Sequence, residues 1–253
     1  MAKEDAVVVG VDSGGTKTIA CAVTLDGQIK GIGYGGPTNA IFVSESDAIY
    51  AMREAVAAAL GVTSSEPDVV SEVQSIYLSS PGFSTDAAER ALRDLCPEAL
   101  LKVEGDAPAV FRAAIPSGDG IVALSGTGSF AAGIWRGKWL TNGGWGPLLG
   151  DEGSGYWIGL EALRAVALAA DQRGPETSLQ SIFRRALRYS FDEELRRFVY
   201  RKNLNRQRIA GLTILVAQAA REGDAVAKSI LTRAGQELSA LAANLANRFQ
   251  IGG

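Results

Sequence analysis

The residues Asp12-Ser13-Gly14-Gly15-Thr16-Lys17-Thr18 form the first place where this sequence can do chemistry. Paired glycines let a backbone approach a ligand closely and take positive φ. Successive amide N–H groups in such a turn make an anion-binding nest. Thr16 and Thr18 add hydroxyl donors, Lys17 adds positive charge, and Asp12 stands where it can hold Mg²⁺ or its water shell. A second cluster, Ser125-Gly126-Thr127-Gly128-Ser129, offers the same donors without the charge. In dinucleotide folds and P-loop enzymes a glycine loop opens a helix. Here an apolar, strand-like segment follows each loop, so both read as hairpin tips. Read alone, either is also compatible with an ordinary glycine-rich turn. Together they suggest two hairpins gripping one polyphosphate from opposite sides of an interdomain cleft.

Asp106 closes a short apolar segment, in Val103-Glu104-Gly105-Asp106-Ala107. A carboxylate there can accept a proton from a hydroxyl that attacks phosphorus. It can equally cap a helix over 108–114, and the local sequence leaves both readings open. Gly143-Gly144-Trp145-Gly146-Pro147-Leu148-Leu149-Gly150-Asp151-Glu152-Gly153-Ser154 places five glycines around one tryptophan. Such a loop can present main-chain donors, an aromatic surface and two carboxylates to a polar ligand. Asp151 or Ser154 can also cap the helix that follows. The arginines at 184, 185, 188, 196, 197 and 201 alternate with acids and read as a solvated helical surface.

Composition narrows the chemistry further. The chain has 253 residues, 47% of them hydrophobic, enough for two domains with real cores. A net charge of -3 gives no reason to expect nucleic acid as a partner. Apolar runs such as Ala165–Ala170 are far too short to span a bilayer, and the N-terminus has no signal-peptide core. The expectation is a cytoplasmic protein without a membrane partner. With no histidine and two cysteines, a Cys/His zinc site, a disulfide framework and any histidine base are excluded. Proton transfer falls to Asp, Glu, Lys or Tyr. Cys21 and Cys96 read as buried structural thiols.

The elements that must position these residues follow from periodicity. Strands are expected at 5–12, 18–25 and 28–34, with Asp26-Gly27 as a hairpin turn. A helix over 44–60 begins with a Ser44/Asp47 cap and stops at Gly61. Further strands are expected at 73–79, 100–103, 120–124 and 129–135, a helix at 86–95, a turn at 136–138 and loop over 142–155. Helices are expected at 154–170, 179–189, 193–200, 207–222 and 224–249. The plan strand, Gly/Thr loop, strand occurs twice, as VVVGVD-SGGTKT-IACAV and IVALS-GTGS-FAAGIW, which a duplicated core would explain.

On these motifs the sequence resembles the N-acetylglucosamine kinase and BadF-type ATPase family, within the superfamily of actin, hexokinase and the heat-shock ATPases. The anchors are DSGGTKT at 12–18, GPTNA at 36–40, VEGDAPA at 103–109, SGTGS at 125–129, GGWGPLLGDEGSGYWIG at 143–159 and AAREGDAVAKSIL at 219–231. The resemblance implies an α/β, two-domain actin-like (ribonuclease H-like) fold with a largely helical second half. It implies domains at 1–116 and 117–253, each bearing one phosphate hairpin. It implies an ATP- and Mg²⁺-dependent kinase acting on the 6-hydroxyl of N-acetylglucosamine or a related amino sugar. A non-catalytic sugar- or nucleotide-binding module and a partner-activating ATPase are the alternatives. Asp12, Gly14, Gly15, Thr16 and Lys17 match the first phosphate motif, with Asp12 at the metal, and Thr127 and Gly128 match the second. Asp106 matches the catalytic base, and Asn39, Gly144, Trp145 and Asp151 match sugar-binding positions. A homodimer is common among such proteins. The family pattern continues with an adenosine-cradling glycine pair after a strand and a helix returning to the first domain. Gln250-Ile251-Gly252-Gly253 follow no strand here, so that part of the site is expected to be missing or supplied differently. Cys21 and Cys96 do not fall where dehydratase activators place their cluster cysteines.

Overall fold

A computed structural model describes residues 6–15, 17–39, 43–65, 68–188, 192–200 and 205–251. The chain forms two compact units, residues 1–109 and 110–253. This division falls a few residues before the 116/117 boundary expected from sequence, inside a helix.

In the first unit, β1 (Val7–Ser13), β2 (Thr18–Thr24) and β3 (Ile29–Gly35) form an antiparallel meander. Helix α1 (Glu45–Leu60), β4 (Val73–Ser79), α2 (Thr85–Leu92), β5 (Leu100–Glu104) and the start of α3 (Asp106–Ala114) follow. The sheet order is β3-β2-β1-β4-β5, with β4 parallel to both β1 and β5. Alternation in β1 buries Val7, Val9, Val11 and Ser13 on one face. There the three valines join Met52, Val56, Ile76, Leu78 and Leu92 in one core. Ser44 caps α1, accepting from the Asp47 amide, and Gly61 ends it at φ 74°.

Three glycines set the distance between β3 and α1. A Cβ at Gly31 would lie 2.4 Å from the Ala59 carbonyl oxygen, one at Gly33 1.9 Å from that of Ala55, and one at Gly35 2.1 Å from that of Ala51. The helix answers with a face of small residues, Ala48, Ala51, Ala55 and Ala59, all buried.

In the second unit β6 (Gly120–Ser125), β7 (Ser129–Trp135) and β8 (Lys138–Gly143) form a second antiparallel meander. The helices α4 (Gly155–Ala170), α5 (Leu179–Leu187), α6 (Asp192–Val199), α7 (Arg206–Gly211), α8 (Thr213–Arg221) and α9 (Ala225–Arg248) complete it. Helix α9 lies against all three strands and against α4 and α8. Strand β8 corrects the sequence expectation of turn and loop. Arg136 and Gly137, at φ 50° and 76°, make a two-residue turn that returns the chain beside β7. The single helix expected over 207–222 is two, broken at Gly211-Leu212. Gly159 lets α4 and α7 touch, since a Cβ there would lie 2.1 Å from the Ile209 carbonyl oxygen.

Candidate active site

The first tip connects β1 to β2, whose last ladder pair is Ser13 with Thr18. The Gly14 amide donates to the Lys17 carbonyl at 3.2 Å and closes the turn. The Gly14 carbonyl accepts from the amides of Thr38 and Asn39 at 3.0 and 3.4 Å. Asp12, Gly15 and Lys17 are exposed. Gly14 corrects one expectation, because its φ is not positive. Among the described residues a Cβ on Gly14 would meet no heavy atom within 4 Å, so the glycine adds no bulk there. Thr16, the fourth tip residue expected to bind phosphate, lies outside the described residues.

Asp106 sits in the first turn of α3, half-buried, and its Oδ1 accepts from Ser79 Oγ at 3.1 Å. Ser79 ends β4 and is the ladder partner of Asp12 on β1. Strand pairing therefore brings Asp12 to Asp106 although 94 positions separate them in the sequence. Burial raises the Asp106 pKa above the ordinary value of 3.8, the Ser79 hydrogen bond opposes the shift, and the negative charge of Asp12 adds to it. A carboxylate made more basic by burial and held by one donor is suited to accept a proton.

Asn39 belongs to the same end of the sheet. Its Oδ1 would stand 3.1 Å from a Cβ on Gly82, which also holds φ 81°. Only glycine fits that turn and leaves the Asn39 amide in place. Unit 1 thus gathers Asp12, Gly14, Gly15, Lys17, Asn39 and Asp106.

The second tip connects β6 to β7 and is held from behind by residues 151–156. The Gly126 carbonyl accepts from the Gly155 amide at 2.8 Å, and the Thr127 carbonyl from Tyr156 at 3.3 Å. Ser125 Oγ donates to the Gly153 carbonyl at 2.9 Å, and Ser129 Oγ to that of Glu152 at 2.7 Å. The first amides of α4 are thereby spent on the tip, and Ser154 rather than Asp151 caps the helix.

Asp151 has φ 65° and is 3% exposed. Its Oδ1 accepts from the Ser129 amide at 3.3 Å, and its Oδ2 from an Nη of Arg206. A Cβ on Gly128 would stand 3.0 Å from both carboxylate oxygens, so this carboxylate fills the space under the second tip. Gly144 follows β8 at φ 74°, and its amide donates to the Ser129 carbonyl at 3.0 Å. Trp145 is 73% exposed. Unit 2 therefore brings together Thr127, Gly128, Gly144 and Asp151, while the Trp145 indole stands out from them.

Sequence reasoning missed two residues. The sequence marks Ser79 as the end of a strand, and the polar Ser79-Ser80 pair before Pro81-Gly82 is the signal that it does more. Arg206 had no local signal, since its partner lies 55 positions earlier.

Residues 9–253 match the BadF/BadG/BcrA/BcrD ATPase family. A curated relative from Clostridium acetobutylicum, an N-acetylmuramic acid/N-acetylglucosamine kinase, is 32% identical over 91% of this chain and 76% of its own length. An N-acetyl-D-glucosamine kinase from Dictyostelium discoideum is 33% identical over 94% of this chain and 78% of its own. Among solved structures, a Chromobacterium violaceum protein proposed to be an N-acetylglucosamine kinase superposes with a TM-score of 0.79 at 24% identity, covering 95% of this chain and 83% of that one. A Streptomyces griseus ROK family glucokinase, solved with glucose and AMPPNP, gives 0.55 at 20% identity over 96% and 80%. Two glycine-tipped hairpins, a half-buried aspartate beside the first, and a match over nearly the whole length agree: the chain belongs to the BadF/BadG/BcrA/BcrD ATPase family.

Proposed function

We propose that this protein is an ATP-dependent kinase that phosphorylates N-acetylglucosamine or a closely related amino sugar, with Asp106 as the catalytic base. One observation carries the reading. A carboxylate of raised basicity, oriented by Ser79, stands within electrostatic reach of Asp12 beside a glycine tip. The curated relatives named above, kinases of amino sugars, support the substrate class. The fold that fits this reading is a two-domain actin-like one with a mainly helical second half.

In the proposed reaction the sugar hydroxyl (the 6-hydroxyl, by the family resemblance) attacks the γ-phosphorus of ATP. Its proton passes to the Asp106 carboxylate, the bond from the γ-phosphorus to the β,γ-bridging oxygen breaks, and ADP leaves. Backbone amides of Gly14 and Gly15 and the charge of Lys17 are assigned to phosphate oxygens. Thr127 and Gly128 carry the same assignment in the second unit, and Thr16 in the first. Asn39, Gly144, Trp145 and Asp151 are assigned to the sugar. Asp151 would offer the lone pairs that Ser129 and Arg206 leave free.

Among the described residues no group of three or more His, Cys, Asp or Glu is placed to hold a metal ion. One exposed carboxylate, Asp12, at the foot of the first tip fits Mg²⁺, which is usually held by one or two carboxylates together with phosphates and waters. When bound there, Mg²⁺ would supply charge neutralisation at the phosphates.

The test is a coupled ADP-release assay over glucose, glucosamine, N-acetylglucosamine and N-acetylmuramic acid, with Asp106→Asn beside the wild type. Asp106→Asn is expected to lower kcat by about 10²–10⁴ while calorimetry still shows sugar binding. Full turnover by that variant would remove Asp106 from the mechanism. ATP hydrolysis indifferent to every sugar would replace the kinase reading with that of a partner-activating ATPase.

A further inference from the structure

Three hydroxyls are sealed beneath the first tip. Ser13 is 3% exposed, Thr38 0% and Ser80 2%. Thr38 Oγ1 donates to Ser13 Oγ at 2.8 Å, and Ser13 Oγ donates to Ser80 Oγ at 2.5 Å. Ser80 Oγ and Thr38 Oγ1 stand 3.3 Å apart. A hydroxyl has one proton to give, so the three close into a ring in which each donates once and accepts once.

Each member is the chain neighbour of a site residue or of the residue that holds one. Ser13 lies between Asp12 and Gly14, Thr38 precedes Asn39, and Ser80 follows Ser79, the donor to Asp106. Backbone bonds extend the ties. The amides of Thr38 and Asn39 share the Gly14 carbonyl, Thr18 Oγ1 donates to the Gly36 carbonyl at 2.8 Å, and the Ser80 amide donates to the Glu104 carbonyl at 2.8 Å. Three apolar side chains would fill the same space without fixing any direction. A closed ring of hydroxyls tolerates one relative placement of its three segments, because a slip of any one leaves a buried hydroxyl unpaired.

We propose that the Ser13–Thr38–Ser80 hydroxyl ring is a positioning device that fixes the phosphate tip, the Asn39 amide and the Ser79-held Asp106 carboxylate relative to one another. The proposal rests on the kinase reading above and adds residues that touch neither substrate. A misplacement of about 1 Å at a reacting centre can cost about 10²-fold in rate. The ring therefore acts on catalysis through geometry alone.

The test compares Thr38→Val, which keeps the shape and removes the hydroxyl, with Thr38→Ser, which keeps the hydroxyl. Steady-state kcat and KM for N-acetylglucosamine and ATP are measured per mole of folded protein, with melting curves alongside. Thr38→Val is expected to lower kcat/KM for the sugar roughly 10- to 100-fold, with kcat falling and KM rising. Thr38→Ser is expected to restore most of the rate. A purely structural role would reduce the folded fraction and leave KM unchanged. If Thr38→Val does not fold, Ser80→Ala carries the same expectation. Wild-type kinetics in the hydroxyl-free variant, or an equal loss in Thr38→Ser, would overturn the proposal and leave the kinase reading standing. A wild type that phosphorylates no sugar would overturn both.

Discussion

Replacing Arg206 with alanine tests how the second tip is held. The guanidinium pairs with the Asp151 carboxylate, and their side chains are 36% and 4% exposed. Removing one partner of a fully buried pair costs about 3–5 kcal/mol, because a charge is left buried and uncompensated. A fully exposed pair contributes about 0–1 kcal/mol. Water reaches part of Arg206 but little of Asp151, so Arg206→Ala is expected to cost about 2 kcal/mol, between those limits. Asp151→Asn keeps an acceptor for the Ser129 amide, and asparagine tolerates the left-handed backbone at that position. Its cost is expected near 1 kcal/mol. In the double variant no charge remains to be orphaned, so the combined cost is expected to fall short of the sum by about 1 kcal/mol or more. All four tryptophans, at 135, 139, 145 and 157, belong to the second unit, so their fluorescence during urea unfolding reads this unit alone. Additive single costs, or an Arg206→Ala midpoint equal to wild type, would refute the reasoning. The pair would then be an incidental contact, with no part in bracing Gly128.

Four other outcomes follow from unit 1. Burial and Asp12 raise the Asp106 pKa while Ser79 lowers it. Ser79→Ala is therefore expected to move the acid limb of the kcat/KM profile to higher pH. A group whose folded pKa is raised contributes stability at low pH that is lost as pH rises through that value. Asp106→Asn should thus be more stable than wild type at neutral pH, with the gain shrinking as pH falls through the raised Asp106 value and gone below the ordinary 3.8, as melting curves across pH would show. Gly33→Ala should cost about 3 kcal/mol, since its Cβ would lie 1.9 Å from a backbone oxygen of α1. Gly10→Ala, where a Cβ would meet nothing within 4 Å, should change stability by less than about 0.5 kcal/mol, with far-UV circular dichroism in urea as the readout for both.

Much of the local architecture was legible because its causes are local. Ser44, Asp47 and Gly61 announced both ends of α1 through hydrogen bonds that span three or four residues. Asp26-Gly27 announced the β2–β3 turn, and Gly27 takes φ 91° there. Alternating valines announced β1. Strand β8 was illegible because Lys138–Gly143 alternates weakly and is a strand chiefly by virtue of pairing with β7. The role of Gly33 was equally hidden, since nothing in Lys30–Gly35 reveals that a helix carbonyl will press against it.

By itself the sequence determined which chemistry was available: no histidine, two glycine-rich tips each followed by a strand, and one carboxylate at the end of a short strand. These properties belong to residue types and near neighbours. The tertiary structure decided which of those groups meet. It set Ser79 against Asp106 through the β4–β5 ladder and against Asp12 through the β1–β4 ladder, joined three hydroxyls from distant segments, and turned Asp151 inward to Arg206 and the Ser129 amide. Side-chain hydrogen bonds act over about 3 Å. Only the folded chain can bring positions dozens of residues apart within that distance.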